Sequence, residues 1–292
     1  MKRIFSAVIA LALFATACNP SSSKEKQAEE NTQEVAAQEQ QNIVSLNGTI
    51  TEVLYALGKG DQIVGTDVTS VYPEETSELP KLGHVNHIQA EGIISLQPDV
   101  VYALENELSP ELQEQLKSTG IELQLYPLDY SLEGAKNLIN ALGKSANAEE
   151  KASELIAKID EDAAQLKTLE NQPKALFIYA RGVGNLLVAG ENTQMDAMIK
   201  MAGAKNAAVG FEGFKPLTPE ALVAANPDAI IMFDSGKHSV QSEEGTLSIP
   251  GIEETTAGKN NNIITMEGLY LAGFGPRVGS AMVELNNALA NL

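Results

Sequence analysis

The sequence predicts an α/β fold of two Rossmann-like lobes joined by a single long α-helix, with a ligand cleft between the lobes. Three features point there. Between Asn147 and Glu170, the residues Ala152, Leu155, Ile156, Ile159, Ala163 and Leu166 recur at helical spacing and make one apolar stripe. On either side of that stripe the chain repeats itself. Glu91-Gly-Ile-Ile-Ser-Leu-Gln-Pro-Asp99 is echoed by Glu220-Ala-Leu-Val-Ala-Ala-Asn-Pro-Asp228, and one offset relates both the prolines and the aspartates. A second echo pairs Ile50–Gly58 with Met195–Gly203. Within each half, short apolar runs alternate with helical patterns, as strands of a parallel sheet covered on both faces do.

The connecting helix is expected over residues 147–170. Asn147-Ala-Glu-Glu150 reads as its start, a side-chain cap followed by carboxylates. Glu154 and Lys158 are spaced to pair on the outer face. Pro173 stops the helix. At ~1.5 Å per residue it would run roughly 33 Å, enough to cross a small domain.

Ahead of the lobes, Lys2 and Arg3 precede the apolar run Ile4–Phe14, which makes residues 1–17 a secretion signal too short to stay as a membrane span. Ala15-Thr-Ala-Cys18 resembles a lipoprotein signal-peptidase box, with Ala15 where leucine is commoner. Cys18 is the single cysteine, so no intramolecular disulfide is available to it and lipidation explains it. Residues 19–41 are polar and aperiodic, so residues 18–41 read as a lipidated cysteine and a disordered tether.

The N-terminal lobe is expected over 42–146. Its strands are Ile43–Leu46, Ile63–Gly65, Val100–Ala103 and Leu123–Tyr126, and its helices include Thr49–Leu57 and Pro110–Ser118. The loop-rich stretch Thr66–Gln89 holds His84 and His87. The C-terminal lobe, 171–292, has its clearest strands at Ala175–Tyr179, Ala229–Phe233 and Ile263–Met266. In open α/β sheets, ligands gather beyond the carboxyl ends of the strands. Loops there carry Arg181-Gly-Val-Gly184, His238 and Gly273-Phe-Gly-Pro-Arg277.

The formal charge is −19, and removal of the signal would take away Lys2 and Arg3 and no acid. Such a chain has no general attraction for phosphate backbones and no basic stripe for anionic lipid. Nucleic acid is therefore not an expected partner, and the membrane is reached only through the anchor. No Gly-x-Ser-x-Gly elbow, Walker A loop or Cys-x-x-Cys is present. Arg181-Gly-Val-Gly184 lacks the Gly-x-Gly-x-x-Gly spacing and reads as a turn. Three histidines and one cysteine give a nucleophile little to draw on, so no enzyme is expected.

Asn42–Gly58, Val64–Pro73 and Ala90–Asp99 resemble the substrate-binding proteins of ABC importers. The resemblance is to the class with two lobes and one rigid helix, which binds haem, cobalamin or ferric siderophores. Val188–Thr193, Gly210–Leu222 and Leu271–Arg277 are similar to the haem-binding proteins of bacterial haem importers. The resemblance covers nearly everything from Asn42 onward. It implies capture of haem b and delivery to an ABC permease dimer with its ATPase, by a monomer at the extracytoplasmic or periplasmic face.

The ligand positions depart from the family. Its members carry Gly-Tyr-x-Arg before the Ala-Glu-Gly-Ile segment, the tyrosine an axial haem ligand and the arginine a support for the phenolate. Here the place reads Gly83-His84-Val85-Asn86. Neutral imidazole is a competent haem ligand and needs no cation beside it, so His84 is the expected axial ligand. Some members add a second-lobe histidine where this chain has Arg181, which cannot ligate iron but could pair with a propionate. Tyr72, His87 or His238 could serve the other face. The same residues also have bland readings: His84, His87 and His238 as surface histidines, Tyr72 as a turn residue, and His84-x-x-His87 as half of a metal site. Phe211, Phe214, Tyr270 and Phe274 could flank a macrocycle or pack the core. Glu91 and Glu220 occupy equivalent repeat positions. The resemblance implies that each docks against permease arginines, although a carboxylate also suits a helix N-terminus. The rival readings are a ferric-siderophore or cobalamin carrier of the same fold, and an exported metal-dependent enzyme.

Overall fold

The computed structural model describes residues 41–241 and 248–292; the signal, Cys18 and nearly all of the tether lie outside them. The first lobe runs β1 (Ile43–Ser45), α1 (Gly48–Ala56), β2 (Ile63–Thr66), α2 (Ala90–Ser95), β3 (Val100–Leu104), α3 (Pro110–Ser118), β4 (Glu122–Tyr126) and α4 (Leu132–Ser145). Its four strands lie in the order β2-β1-β3-β4, all parallel. The connecting helix is α5 (Glu149–Ala163). The second lobe follows with β5 (Lys174–Ala180), β6 (Leu186–Ala189), α6 (Gln194–Met201), β7 (Lys205–Asn206), β8 (Phe214–Pro216), α7 (Pro219–Ala225), β9 (Ala229–Phe233), α8 (Asp234–Val240), α9 (Thr256–Asn260), β10 (Ile263–Met266), α10 (Gly268–Ala272) and α11 (Val278–Ala290).

The second sheet is mixed where a parallel one was expected. Its order is β10-β9-β5-β6-β8, with β7 also on β5, and the β5–β6 and β6–β8 pairs are antiparallel. The cause is local. Arg181 N–H donates to the Asn185 carbonyl at 3.0 Å, and Gly182 takes φ 92°, so Arg181-Gly-Val-Gly184 folds β5 straight back into β6. These residues form a hairpin turn, not a nucleotide loop.

The duplication has a physical counterpart. Gln97 and Asn226, at φ 49° and 41°, both turn the chain through the left-handed region before a Pro-Asp pair. Asp99 then accepts the Asn42 N–H at 2.7 Å, and Asp228 accepts the Lys174 N–H at 2.8 Å. Each aspartate thereby pins the first strand of its lobe beside the strand it introduces. The second echo behaves alike. Gly58 and Gly203, at φ 79° and 86°, end α1 and α6. Lys59 N–H and Ala204 N–H then reach back to the Leu54 and Ile199 carbonyls, closing the same left-handed cap.

The connecting helix departs from expectation at both ends. Asn147 does not cap α5. It takes φ 50° at the end of α4, where Ala148 N–H donates to Gly143 O at 2.7 Å. At the far end, α5 stops at Ala163, not near Glu170. The side chain of Asn286, buried on α11, accepts the Lys167 N–H and donates to the Lys167 carbonyl, both at 2.9 Å, and so captures the chain beyond the helix. Helical spacing cannot announce a terminator that comes from the far end of the sequence. The apolar stripe is nevertheless in place: Ala152 and Ile159 are buried, and Leu155, Ile156, Ala163 and Leu166 pack on the same core.

Two glycines seat α5. A Cβ at Gly143 of α4 would fall 2.4 Å from the Ala152 Cβ, and one at Gly279 of α11 would fall 2.8 Å from the Asp162 Cβ. One apolar cluster runs from Ile50 and Leu54 of α1 through Leu138, Leu142 and Ile159 to Met195, Met282 and Leu285 of the second lobe. Each lobe closes the other face of its sheet with a separate core, Val101 and Leu116 in the first and Ile178 and Ile230 in the second.

Asp196 anchors α6. Burial works against its charge, but hydrogen bonds from Lys200 and Asn206, helped by the Asn192 N–H, hold its carboxyl below the usual aspartate range. A lowered folded-state value adds stability above the unfolded value and loses it as pH falls through the lowered one. Acidification below about pH 4 should therefore cost the wild type more stability than Asp196→Asn. Thermal unfolding at about pH 6 and about pH 3 checks this, and an equal loss in both proteins contradicts it.

Candidate functional site

The carboxyl ends of the first-lobe strands present a polar rim. Asn47 follows β1, Asp67 follows β2 and Glu107 lies just beyond β3. Asn47 does two jobs there. Its Oδ1 accepts the Thr49 and Ile50 N–H groups at 2.8 and 3.2 Å, capping α1, and its Nδ2 donates to Glu107 at 3.0 Å. Asp67 is buried and accepts the Thr69 and Ser70 hydroxyls at 2.6 and 2.7 Å. Burial pushes the Glu107 carboxyl above its ordinary value against the Asn47 bond; Asp67 adds to the rise and His84 opposes it. Glu107 in turn helps burial to raise the Tyr130 phenol, whose ring lies 5.3 Å from that of Phe274 in the second lobe. This chain of neighbours leads from His84 across to the second lobe.

His84 sits where the chain runs beside the end of β2: Leu82 N–H donates to Thr66 O at 2.8 Å, and Val68 N–H to Gly83 O at 3.0 Å. Its imidazole is exposed and begins the single turn Val85–His87. Nδ1 accepts the Asn86 N–H at 3.4 Å, which puts the proton of the neutral ring on Nε2. Ligating a metal through Nε2 requires the other tautomer, and only this long contact is given up. Asn86 and His87 are also exposed, and the His84 and His87 rings lie 6.4 Å apart. Among the described residues no cluster of His, Cys, Asp and Glu is arranged to hold a bare metal ion.

In the second lobe Arg181 closes β5. Its Nε donates to the Tyr179 hydroxyl at 2.8 Å, and its guanidinium carbon lies 5.0 Å from the Tyr179 ring centre. Tyr179 is half-buried at the carboxyl end of β5, its ring held edge-on by Phe233 at 5.9 Å and Phe214 at 6.5 Å. His238 is not in a loop. It lies on α8 with Nδ1 2.6 Å from the Asp234 carbonyl, so Nδ1 carries the proton and Nε2 keeps its lone pair. Ser239 beside it accepts the Gly182 N–H at 3.0 Å, which places α8 against the Arg181 turn.

Tyr72 is engaged elsewhere. Its ring centre lies 3.7 Å from the Arg277 guanidinium carbon, and Arg277 forks onto Glu52. Among the candidate aromatic residues, Phe274 is buried, Phe214 is exposed, Tyr270 flanks Arg277 and Phe211 lies under Lys215. Glu91 and Glu220 occupy the first turns of α2 and α7, both exposed, with no ion pair among the described residues. Tyr179, Glu107 and Tyr130 were not anticipated. One signal was available: Tyr179-Ala-Arg181 repeats in the second lobe the Tyr-x-Arg spacing that the first lobe lacks.

Two α/β lobes, one joining helix and facing loop clusters define a substrate-binding protein of an ABC transporter. The chain belongs to the periplasmic binding protein family, whose model matches residues 43–269. It is 30% identical over 308 positions to the uncharacterized ABC transporter substrate-binding lipoprotein YvrC of Bacillus subtilis (strain 168), covering 98% of this chain and 96% of that one. The vitamin B12-binding protein of Vibrio parahaemolyticus is 26% identical over 84% of this chain and 88% of its own. Among solved structures, the periplasmic heme-binding protein RhuT from Roseiflexus sp. RS-1 matches with a TM-score of 0.81 at 38% identity, over 86% of this chain and 98% of that one. BhuT, a periplasmic heme-binding protein solved in complex with two hemes, matches with a TM-score of 0.80 at 32% identity over the same shares. The family and these neighbours are substrate-binding transport proteins, not enzymes. No helix among the described residues is long and apolar enough to cross a membrane.

Proposed function

We propose that this chain is an exported, Cys18-anchored lipoprotein that captures haem b between its lobes and delivers it to an ABC permease dimer. What carries the reading is the Tyr179–Arg181 hydrogen bond in one lobe together with the exposed His84 imidazole in the other. A tyrosine ligates ferric iron through its oxygen, and the Arg181 Nε–H fixes the position of the Tyr179 oxygen. Arg181, expected from the sequence to meet a propionate, also holds the Tyr179 oxygen through Nε, and His84 supplies a neutral donor to the opposite face. His238 is the alternative second-lobe donor, already in the tautomer that leaves Nε2 open. The resemblance to RhuT and BhuT supports haem as the cargo.

Haemin titrated into residues 41–292 should give a saturable, shifted Soret band, while cyanocobalamin and ferric siderophores give no saturable signal. Tight cobalamin binding without a haem complex would favour the second reading, which the B12-binding relatives support. Glu91 and Glu220, on equivalent first turns, would meet the two halves of a permease. Changing both to alanine should lower haem uptake into permease-bearing vesicles about tenfold or more at unchanged haem affinity. Uptake at the wild-type rate would remove these residues from the docking face.

A further inference from the structure

α5 is not the only tie between the lobes. Glu52 of α1 is buried at 4% exposure, and Arg277, at the start of α11, forks onto it through Nε at 2.7 Å and Nη2 at 2.9 Å. Tyr72 of the first lobe covers one side of the guanidinium at 3.7 Å, Tyr270 flanks it at 5.1 Å, and Glu267 stands 4.0 Å from Nη2. One turn earlier on α1, the Thr49 hydroxyl donates to the Gly273 carbonyl at 2.6 Å. The approach is close: a Cβ at Gly275 would lie 3.2 Å from the Thr49 Cγ2.

We propose that the Glu52–Arg277 fork, covered by Tyr72, is an interlobe clamp that sets the width of the cleft. A buried ion pair recovers little of its desolvation cost in stability, while its bidentate geometry fixes two elements relative to each other. The balance here is of that kind, for burial raises the Glu52 carboxyl above its usual value in spite of the Arg277 hydrogen bonds. The clamp also gives Tyr72 a role that needs no ligand. It acts beside the α5 packing, midway along α1, so its loss should free the lobes without unseating the connecting helix.

Residues 41–292 carry their own core and contain no cysteine, so Gln115→Cys and Glu253→Cys, both at exposed positions, place one spin label in each lobe specifically. The interlobe distance distribution of the ligand-free protein is then compared with that of the Glu52→Gln/Arg277→Met double variant. Arg277→Lys, which keeps the charge and loses the fork, is the milder second variant. Both should broaden or shift the distribution, and haem should leave about tenfold faster, a readout that rests on the proposed haem reading. An unchanged distribution in the folded variants overturns the clamp, even where melting temperature falls. A protein that binds no haem would overturn the proposed cargo and leave the distance measurement to decide the clamp.

Discussion

Tyr179→Phe is expected to weaken haemin binding to residues 41–292 about 10- to 100-fold or more, and His84→Ala to do the same. Loss of a mere outer-shell partner already costs a metal site about that much, which is also the size expected for Arg181→Ala. The two ligand variants should differ in kind. Without Tyr179 the iron keeps a neutral imidazole and loses its anionic donor, so the Soret band should move toward that of an imidazole complex. Without His84 it keeps the phenolate, and the phenolate-to-iron charge-transfer absorption should survive. Arg181→Ala should leave the same ligand set and weaken binding, because the donor that holds the Tyr179 oxygen in place is gone. Visible haemin titrations check all three. Tyr179→Phe with wild-type affinity and spectrum would move the second-lobe ligand to His238.

Gly279→Leu should damage the packing of the connecting helix more than any change that leaves its neighbours' backbones clear. Gly279 lets α11 approach α5 so closely that a Cβ would already meet the Ile159 carbonyl at 2.9 Å as well as the Asp162 side chain. A full leucine cannot be absorbed by side-chain rotation, because the obstacle on α5 includes backbone. Overpacking of this kind costs about 1–3 kcal/mol, or more where backbone must shift, and Tm should fall by about 2–4 °C for each kcal/mol. Gly143→Leu, on the α4 side, should behave alike through Ala152. Calorimetric or circular-dichroism melting checks this. A Tm within a degree or so of the wild type would mean that α5 is not held by these two contacts and is free to shift as the lobes move.

Much of this architecture was legible because it repeats. The Pro-Asp pair reports a hydrogen bond that an aspartate accepts from the backbone N–H at the start of its lobe's first strand, and its recurrence at Asp99 and Asp228 discloses two lobes before any strand is assigned. Strands Ala229–Phe233 and Ile263–Met266 and helix Pro110–Ser118 fall where apolar runs and a Ser-Pro start place them. The end of α5 was not legible, because the amide that captures Lys167 belongs to Asn286. Nor was the β5–β6 pairing: Arg181-Gly-Val-Gly184 reads as a turn, but the strand it leads into, Leu186–Ala189, is only 4 residues long and gives no apolar alternation to announce it. At the site, His84 was found as a departure from a family motif. Tyr179 was passed over because a tyrosine ending an apolar strand looks like core. Beyond the Tyr-x-Arg spacing, it is the 2.8 Å bond to Arg181 that distinguishes it.

We propose that iron is held between a phenolate from the second lobe and an imidazole from the first. The most direct test is the resonance Raman spectrum of the ferric haem complex of residues 41–292, excited in its charge-transfer band. An iron–phenolate stretching mode is expected that disappears in Tyr179→Phe and persists in His84→Ala. A haem complex with no such mode, or one whose mode is untouched by Tyr179→Phe, would contradict this ligation.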